Sequence, residues 1–283
     1  MGQPTASTHL RTLETAIGHR LIERAGRATQ LTDAGRLLAQ HAAVVISALE
    51  ELERELAALA GATAGSLVLA SCDSFGNYVL PAVLRTFSRD RPRSEIHVRI
   101  GSSGEVARAV VRGDAHVGIA GQQRRSAQVV ATPLLRDSLA WIASAHSPAV
   151  PRTLSVADLS GLTLIAQGRE SSTRAVTDRI LHRLTCRPAQ LLELDSVEAV
   201  KRAVRSDVGI ALVSRLAVAD ELAAGELREI QFLGAGDPAR SIEILRAEHR
   251  APTPLERVFV HTLRLHCAEL GRPLARQTAV ADD

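Results

Sequence analysis

The stretch "GATAGS", Gly61 to Ser66, separates two hydrophobic rhythms that one folding unit cannot share. Before it, from Asp33 to about Ala60, the chain is rich in Ala, Leu and Glu and has no proline. Leu38, Ala42, Val45, Leu49, Leu52, Leu56 and Leu59 recur there at alternating spacings of four and three, a heptad seam along one long helix. After it, strand-like apolar runs alternate with helical ones: "SLVLAS", "YVLPAVLRTFSRD", "EIHVRI", "SGEVARAVVRG", "AHVGIAG". A second series repeats the order: "LAWIASA", "LTLIAQG", "STRAVTDRILHRL", "QLLELDS", "VEAVKRAVRS", "GIALVS". Strand followed by helix, repeated, predicts an α/β fold on a mostly parallel sheet. Two series predict two lobes around a cleft, with "EIQFL" and "SIEILRA" returning the chain to the first lobe.

Ahead of the seam, Ala6, Leu10, Leu13 and Ile17 keep a helical spacing, and Pro4 falls in the first turn, where its missing N–H costs nothing. The opposite face of this helix offers Thr5, Ser7, Thr8, His9, Arg11 and Thr12, the short polar and basic groups that read base edges in a major groove. "RLIERAGRATQLT" then predicts two short strands about a turn at Gly26, with Arg20, Arg24 and Arg27 along them and Thr32 as N-cap of the next helix. A basic hairpin beside a polar helix fits a wing that grips phosphate. The seam from Leu38 to Leu59 is either a helix packed on its own domain or, as favoured here, a dimer helix, since one recognition helix needs a twofold partner to cover two half-sites.

Composition removes other classes. Aromatics at 2% leave no stacking platforms for single-stranded nucleic acid. A net charge of +3 does not by itself point to DNA. Cys72, Cys186 and Cys267 form no C-x-x-C pair, which disfavours zinc and disulfide frameworks and places the chain in a reducing cytoplasm. No apolar run reaches the ~20 residues that span a bilayer, and "MGQPTAST" lacks a secretory signal, so no membrane partner is expected. No G-x-S-x-G elbow, phosphate loop or metal-spaced His/Cys cluster is present, so neither an enzyme nor a cofactor is expected.

From Gln3 to about Leu270 the sequence resembles the LysR-type transcriptional regulators. The resemblance is carried by "QPTASTHLRTLETAIGHRLIERAGRATQLTDAG", "GSLVLASCDSFGNYVLPAVLRTF", "GSSGEVARAVVRGDAHVGIA" and "VEAVKRAVRSDVGIALVSRLAVADELAAGEL". It implies a winged helix-turn-helix head over residues 1–32, partial here, and a long linker and dimerisation helix over 33–61. It also implies a two-lobed effector domain like a periplasmic binding protein over 65–270, with the second lobe roughly 138–230. Residues 271–283 lack periodicity and read as a disordered tail. The implied partners are a double-stranded DNA operator, a small-molecule effector and further copies in a homodimer or homotetramer.

Carried over residue by residue, the resemblance assigns DNA contact to Gln3, Pro4, Thr5, Ser7, Thr8 and Arg11, with Arg24 and Arg27 from the wing. Thr8 and His9 stand where the family more often has longer polar or basic side chains, so no base preference transfers. For the effector, strand ends and helix N-termini give Cys72, Ser74, Ser102, Ser103, Gln167, Ser171, Ser172 and Thr173. Free N–H groups there favour an anion, whereas Glu170, in place of a small family residue, would repel one if it pointed inward. Asp207 stands where glycine is common and is expected at positive φ. His116 is expected as a half-buried structural histidine, and Cys72 as a small buried hydrophobe rather than a redox sensor.

The family usually has about two helices before the motif that begins here at Gln3. Either a start lies upstream, or the head is incomplete and the chain is a solute-sensing or heterodimerising module that does not bind DNA. With Ala6, Leu10, Leu13 and Ile17 lacking those helices, limited proteolysis of this chain is expected to cut first between Met1 and Gln30. Mass spectrometry of the earliest fragments checks this, and a protected N-terminus would mean that another surface covers the apolar face.

Overall fold

A computed structural model of the chain describes residues 3–25, 28–39, 41–42, 45, 65–122 and 126–270. It divides into two compact units, Met1–Leu56 and Ala57–Asp283. The expected tail 271–283 and the seam residues Leu49, Leu52, Leu56 and Leu59 lie outside the described residues.

In the first unit, helix α1 (Gln3–Ile17) leads into an antiparallel hairpin of β1 (Ile22–Ala25) and β2 (Ala28–Leu31). Helix α2, described over 33–39, follows. The Glu14 carboxylate ties α1 to the hairpin by accepting the Leu21 N–H at 2.8 Å. Thr32 donates to the Arg20 carbonyl at 2.6 Å and accepts the Gly35 N–H at 3.0 Å, so it caps α2 as its position predicts. Leu21 is buried, while Leu13, Ile17 and Leu31 stay 43%, 38% and 42% exposed on this unit's surface.

The second unit holds two lobes. In lobe I, β3 (Ser66–Cys72) lies between β4 (Glu95–Gly101) and β5 (Val117–Gly121), all parallel. Helices α3 (Asp73–Tyr78), α4 (Leu80–Asp90) and α5 (Ser103–Val111) connect them. Lobe II holds the parallel pair β8 (Thr163–Gln167) and β9 (Gln190–Leu194), with α7 (Ser172–Arg183) and α8 (Val197–Arg205). A short strand β7 (Thr153–Leu154) and helix α6 (Val156–Leu159) precede them; β10 (Ala211–Ser214), a 3-10 turn and α9 (Ala219–Ala223) follow.

The central sheet is mixed, which corrects the expectation of a mostly parallel one. Strand β6 (Val129–Ser144) runs through both lobes, pairing antiparallel with β12 (Ala239–Ala247) over its first part. Over its last residues it pairs antiparallel with β10 and with β11 (Leu227–Phe232). Crossing between lobes on two neighbouring strands of opposite direction is what brings antiparallel pairing into the middle. "EIQFL" is likewise corrected: β11 pairs with β6 and β7, inside lobe II, and only "SIEILRA" in β12 returns to lobe I. There Ile242 and Ile244 join a core with Phe87 and Phe259, whose rings meet edge to face at 5.4 Å. Phe259 belongs to α10 (Pro254–Leu270), a helix that the alternating pattern does not reveal.

Asp207 does adopt φ +58°. It ends α8: its N–H meets the Val204 carbonyl at 2.9 Å and the next N–H, of Val208, meets that of Ala203 at 3.1 Å. Thr185, φ +50°, ends α7 with the same pair of bonds to His182 and Leu181, 3.1 Å each. Asn or Asp tolerates this left-handed geometry, while a β-branched residue is strained in it. Thr185→Asn is therefore expected to raise stability by about 0.5–1 kcal/mol, and Asp207→Val to cost roughly 1–3 kcal/mol, in urea unfolding. A loss on Thr185→Asn would remove strain as the explanation.

Candidate functional site

The C-terminal ends of β3, β4, β8 and β9 face one another across the gap between the lobes, so the first turns of α3, α5, α7 and α8 converge there. They enclose a cavity of about 450 Å³. Of the residues expected to meet a ligand, Cys72, Ser74, Ser102, Ser103, Gln167 and Ser171 line it. Ser172 instead lines a groove on the far side of Arg240, and Thr173, 2% exposed, lines neither. Each step along a helix turns the next side chain by about a quarter of a circle, which carries Ser172 and Thr173 away from the face that Ser171 presents.

The floor of the cavity is a buried arginine that is not among the residues expected from the sequence. Arg240 in β12 donates Nε to Asp137 at 2.8 Å and Nη1 to Ser172 at 2.7 Å, and Nη2 bonds Ser74. Asp137 in β6 is its register partner and takes a further bond from Ser214 Oγ at 2.7 Å. These side chains come from α3, β6, α7, β10 and β12, so both lobes meet on one guanidinium. Beside it, Ser103 Oγ donates to Ser172 Oγ and accepts the Gly121 N–H, both at 3.2 Å. A Cβ on Gly121 would fall 1.9 Å from Ser172 Oγ, so this approach of α7 to β5 requires glycine. The signal for Arg240 was available: it is in phase with the inward Ile242 and Ile244 of its strand.

Acidic groups dominate the rim. Ser102 caps α5 and accepts the Glu105 N–H at 3.2 Å, while Glu105 accepts the Ser102 N–H at 2.7 Å. Ser196 makes no side-chain cap for α8; Asp73 of lobe I does so, accepting the Val197 N–H at 2.6 Å. Nearby, Tyr78 bonds Glu198 across the lobes, and Lys201 Nζ reaches Glu198 at 2.7 Å and Glu221 at 2.6 Å. Burial, then the bond to Glu198, pushes the Tyr78 phenol up to about 12. Burial works against the Lys201 ammonium, but its bonds to Glu198, Glu221 and Tyr78 outweigh that and hold it charged.

The remaining expected residues fall as follows. Arg11 is exposed on α1. Gln3, Pro4, Thr5, Ser7 and Thr8 lie on the same helix and Arg24 in β1, but their side chains, and all of Arg27, lie outside the described residues. Leu38 is half-buried and Val45 is 58% exposed. His116 is more deeply buried than expected, at 5%, with Nδ1 accepting the Val68 N–H at 3.0 Å, a structural bond beside β5. Cys72 is buried at 3% in the cavity wall. Among the described residues no three His, Cys, Asp or Glu side chains could hold a metal ion, and no helix is long and apolar enough to cross a membrane.

Comparison with known proteins shows what the chain is similar to. The profile described as "LysR substrate binding domain" matches residues 60–268, and that described as "Bacterial regulatory helix-turn-helix protein, lysR family" matches residues 1–36. The chain is 30% identical over 230 residues to YeiE of Escherichia coli strain K12, an uncharacterized HTH-type transcriptional regulator, covering 81% of this chain and 77% of YeiE. The Synechocystis PCC6803 CcmR regulatory domain, solved in complex with 2-PG, is similar with a TM-score of 0.63 at 20% identity, over 71% of this chain and 96% of that one. Full-length CbnR, solved with its target DNA, gives a TM-score of 0.62 at 20% identity, over 94% and 91%. At these identities the two structures speak for the fold alone.

Removing one partner of a buried ion pair strands the other charge away from water. Asp137→Ala is expected to destabilise the protein by roughly 3–5 kcal/mol, and adding Arg240→Met to restore a large part of that loss. Urea unfolding of both single variants and the double variant measures the coupling. A single-variant cost under about 1 kcal/mol would mean that Arg240 does not depend on Asp137.

Proposed function

The chain belongs to the LysR family of bacterial transcriptional regulators, and from that premise we propose that it couples binding of a small molecule between its two lobes to its grip on operator DNA. The observation that carries this reading is the cavity itself: four strand ends and four helix starts, from two lobes, meet around about 450 Å³ with a buried arginine as floor. A ligand touching both walls changes the spacing of the lobes, and so has the differential affinity that a switch needs. CcmR's regulatory domain with 2-PG and CbnR with its target DNA support the two halves of the reading by analogy.

In this reading residues 1–32 form the DNA-contacting head and 33–61 the dimer helix. Residues 65–270 are the effector domain, and the assembly is a homodimer or homotetramer. Gln3, Pro4, Thr5, Ser7, Thr8 and Arg11 of α1 enter the major groove, and Arg24 and Arg27 hold phosphates. Leu38, Val45, Leu49, Leu52, Leu56 and Leu59 bring two heads together so that they cover two half-sites. Cys72, Ser74, Ser102, Ser103, Gln167 and Ser171 meet the effector, with Ser172 and Thr173 behind them shaping the start of α7.

A mobility-shift titration on the intergenic DNA beside the gene tests the reading. Full-length protein is expected to shift that DNA in preference to unrelated duplex, with affinity falling as salt rises. Arg24→Ala and Arg27→Ala are each expected to lower the log–log salt slope by about 1 without changing sequence preference. Full-length protein with no salt-sensitive, sequence-dependent binding would defeat the proposal.

A further inference from the structure

The mouth of the cleft is already bridged by a carboxylate of the protein. Glu170 follows β8 in lobe II, and its side chain crosses to lobe I. There it accepts parallel bonds from Arg108 Nη1 and Nη2, both at 2.6 Å, and a third from Ser102 Oγ at 3.2 Å. Its carbonyl accepts the Gly104 N–H at 3.2 Å. A forked guanidinium and a hydroxyl are groups with which a protein holds a free carboxylate or phosphate. The Arg108 guanidinium accordingly keeps the Glu170 carboxyl below its usual range. The packing against Gly104 is close: a Cβ there would lie 3.0 Å from Glu170 Oε2 and 3.1 Å from its Cβ.

The rest of the lining points the same way. Asp73 already occupies the N-terminus of α8, and Glu105 that of α5. Asp195 adds a further carboxylate to the wall. Against these acids stand Arg169 and Arg240, and Arg240 is matched by Asp137. The open part of the cavity is therefore an acidic surface rich in serine hydroxyls.

We propose that Glu170 is a built-in anion that fills the place an anionic effector would take, so that the lobes close without one and the effector is a polar molecule with no anionic group, uncharged or amine-bearing. This rests on reading the cleft as the effector site and narrows what that site accepts.

Thermal unfolding of the full chain with inorganic phosphate or malonate, against chloride at matched ionic strength, tests it. The wild-type midpoint is expected not to respond. Glu170→Gln, which keeps the shape but frees Arg108 of its charged partner, is expected to gain an anion-dependent rise, with apparent affinity for malonate tighter by about tenfold or more. Arg108→Ala in that background is expected to abolish the gain, which a merely destabilised Glu170→Gln protein would not show. A wild-type midpoint that rises with either anion as much as the variant's overturns the inference. So does a folded Glu170→Gln protein that gains nothing. Operator affinity measured on the same samples keeps this apart from the effector reading: a gain that leaves operator binding unmoved upholds the role of Glu170 while counting against coupling to DNA.

Discussion

At the centre of the effector domain the two lobes meet on a buried ion pair, Asp137 with Arg240. The chain passes between the lobes on β6 and β12, and these two residues face each other in register where it does so. Both side chains are almost wholly buried, at 1% and 5% exposure, where an unmatched charge would cost several kcal/mol. The guanidinium therefore requires acceptors on every side, and it finds them in Ser74 of lobe I and Ser172 of lobe II as well as in Asp137. The apolar clusters lie largely within one lobe or the other. Across the centre of the cleft, the alignment of the lobes is set by hydrogen-bond valence more than by packed hydrocarbon.

That distinction separates the floor of the cleft from its mouth. Arg108 and Glu170 make bonds as short as those of the floor pair, but their side chains are 51% and 50% exposed. An exposed pair is worth about 0–1 kcal/mol, because water competes for both partners, whereas breaking a buried one costs about 3–5 kcal/mol. Opening the mouth is thus cheap and disturbing the floor is expensive. The polar wall formed by Asp73 and Tyr78 against α8 lies between these extremes, since Asp73 supplies a helix cap that α8 otherwise lacks. A two-lobed domain with one costly contact and one cheap contact has a defined axis of motion, which is what a small ligand needs in order to bias it.

Most described elements of this fold, α10 excepted, were legible in the sequence because they are written in local terms. The capping position of Thr32 and the left-handed Asp207 both depend on residues within a few positions of one another. Topology was less legible. β11 and β12 read alike as apolar alternations, and only their partners, β7 with the end of β6 for one and β5 with the start of β6 for the other, assign them to different lobes. No local pattern holds that information. The backbone part of the cleft followed the same rule: strand ends and helix starts located Cys72, Ser102, Gln167 and Ser171, because the parallel strand–helix connection forces them to one edge of the sheet.

The chemistry of the cleft was legible only where it stayed within one segment. In the sequence Glu170 is a misfit in its loop, but its meaning lies in Arg108, 62 positions away, and a single sequence does not pair them. A free Glu170 would make the cavity repel anions by simple Coulomb repulsion. Held by Arg108 it contributes little net charge, and its effect becomes one of occupancy: the donors that would have received an anion are already used. The two situations predict the same selectivity in the intact protein and opposite consequences when Arg108 is removed. Repulsion from Glu170 would grow without its partner, whereas occupancy would be lost together with the donors themselves. The bidentate geometry, both bonds at 2.6 Å and reinforced by Ser102, favours occupancy as the cause.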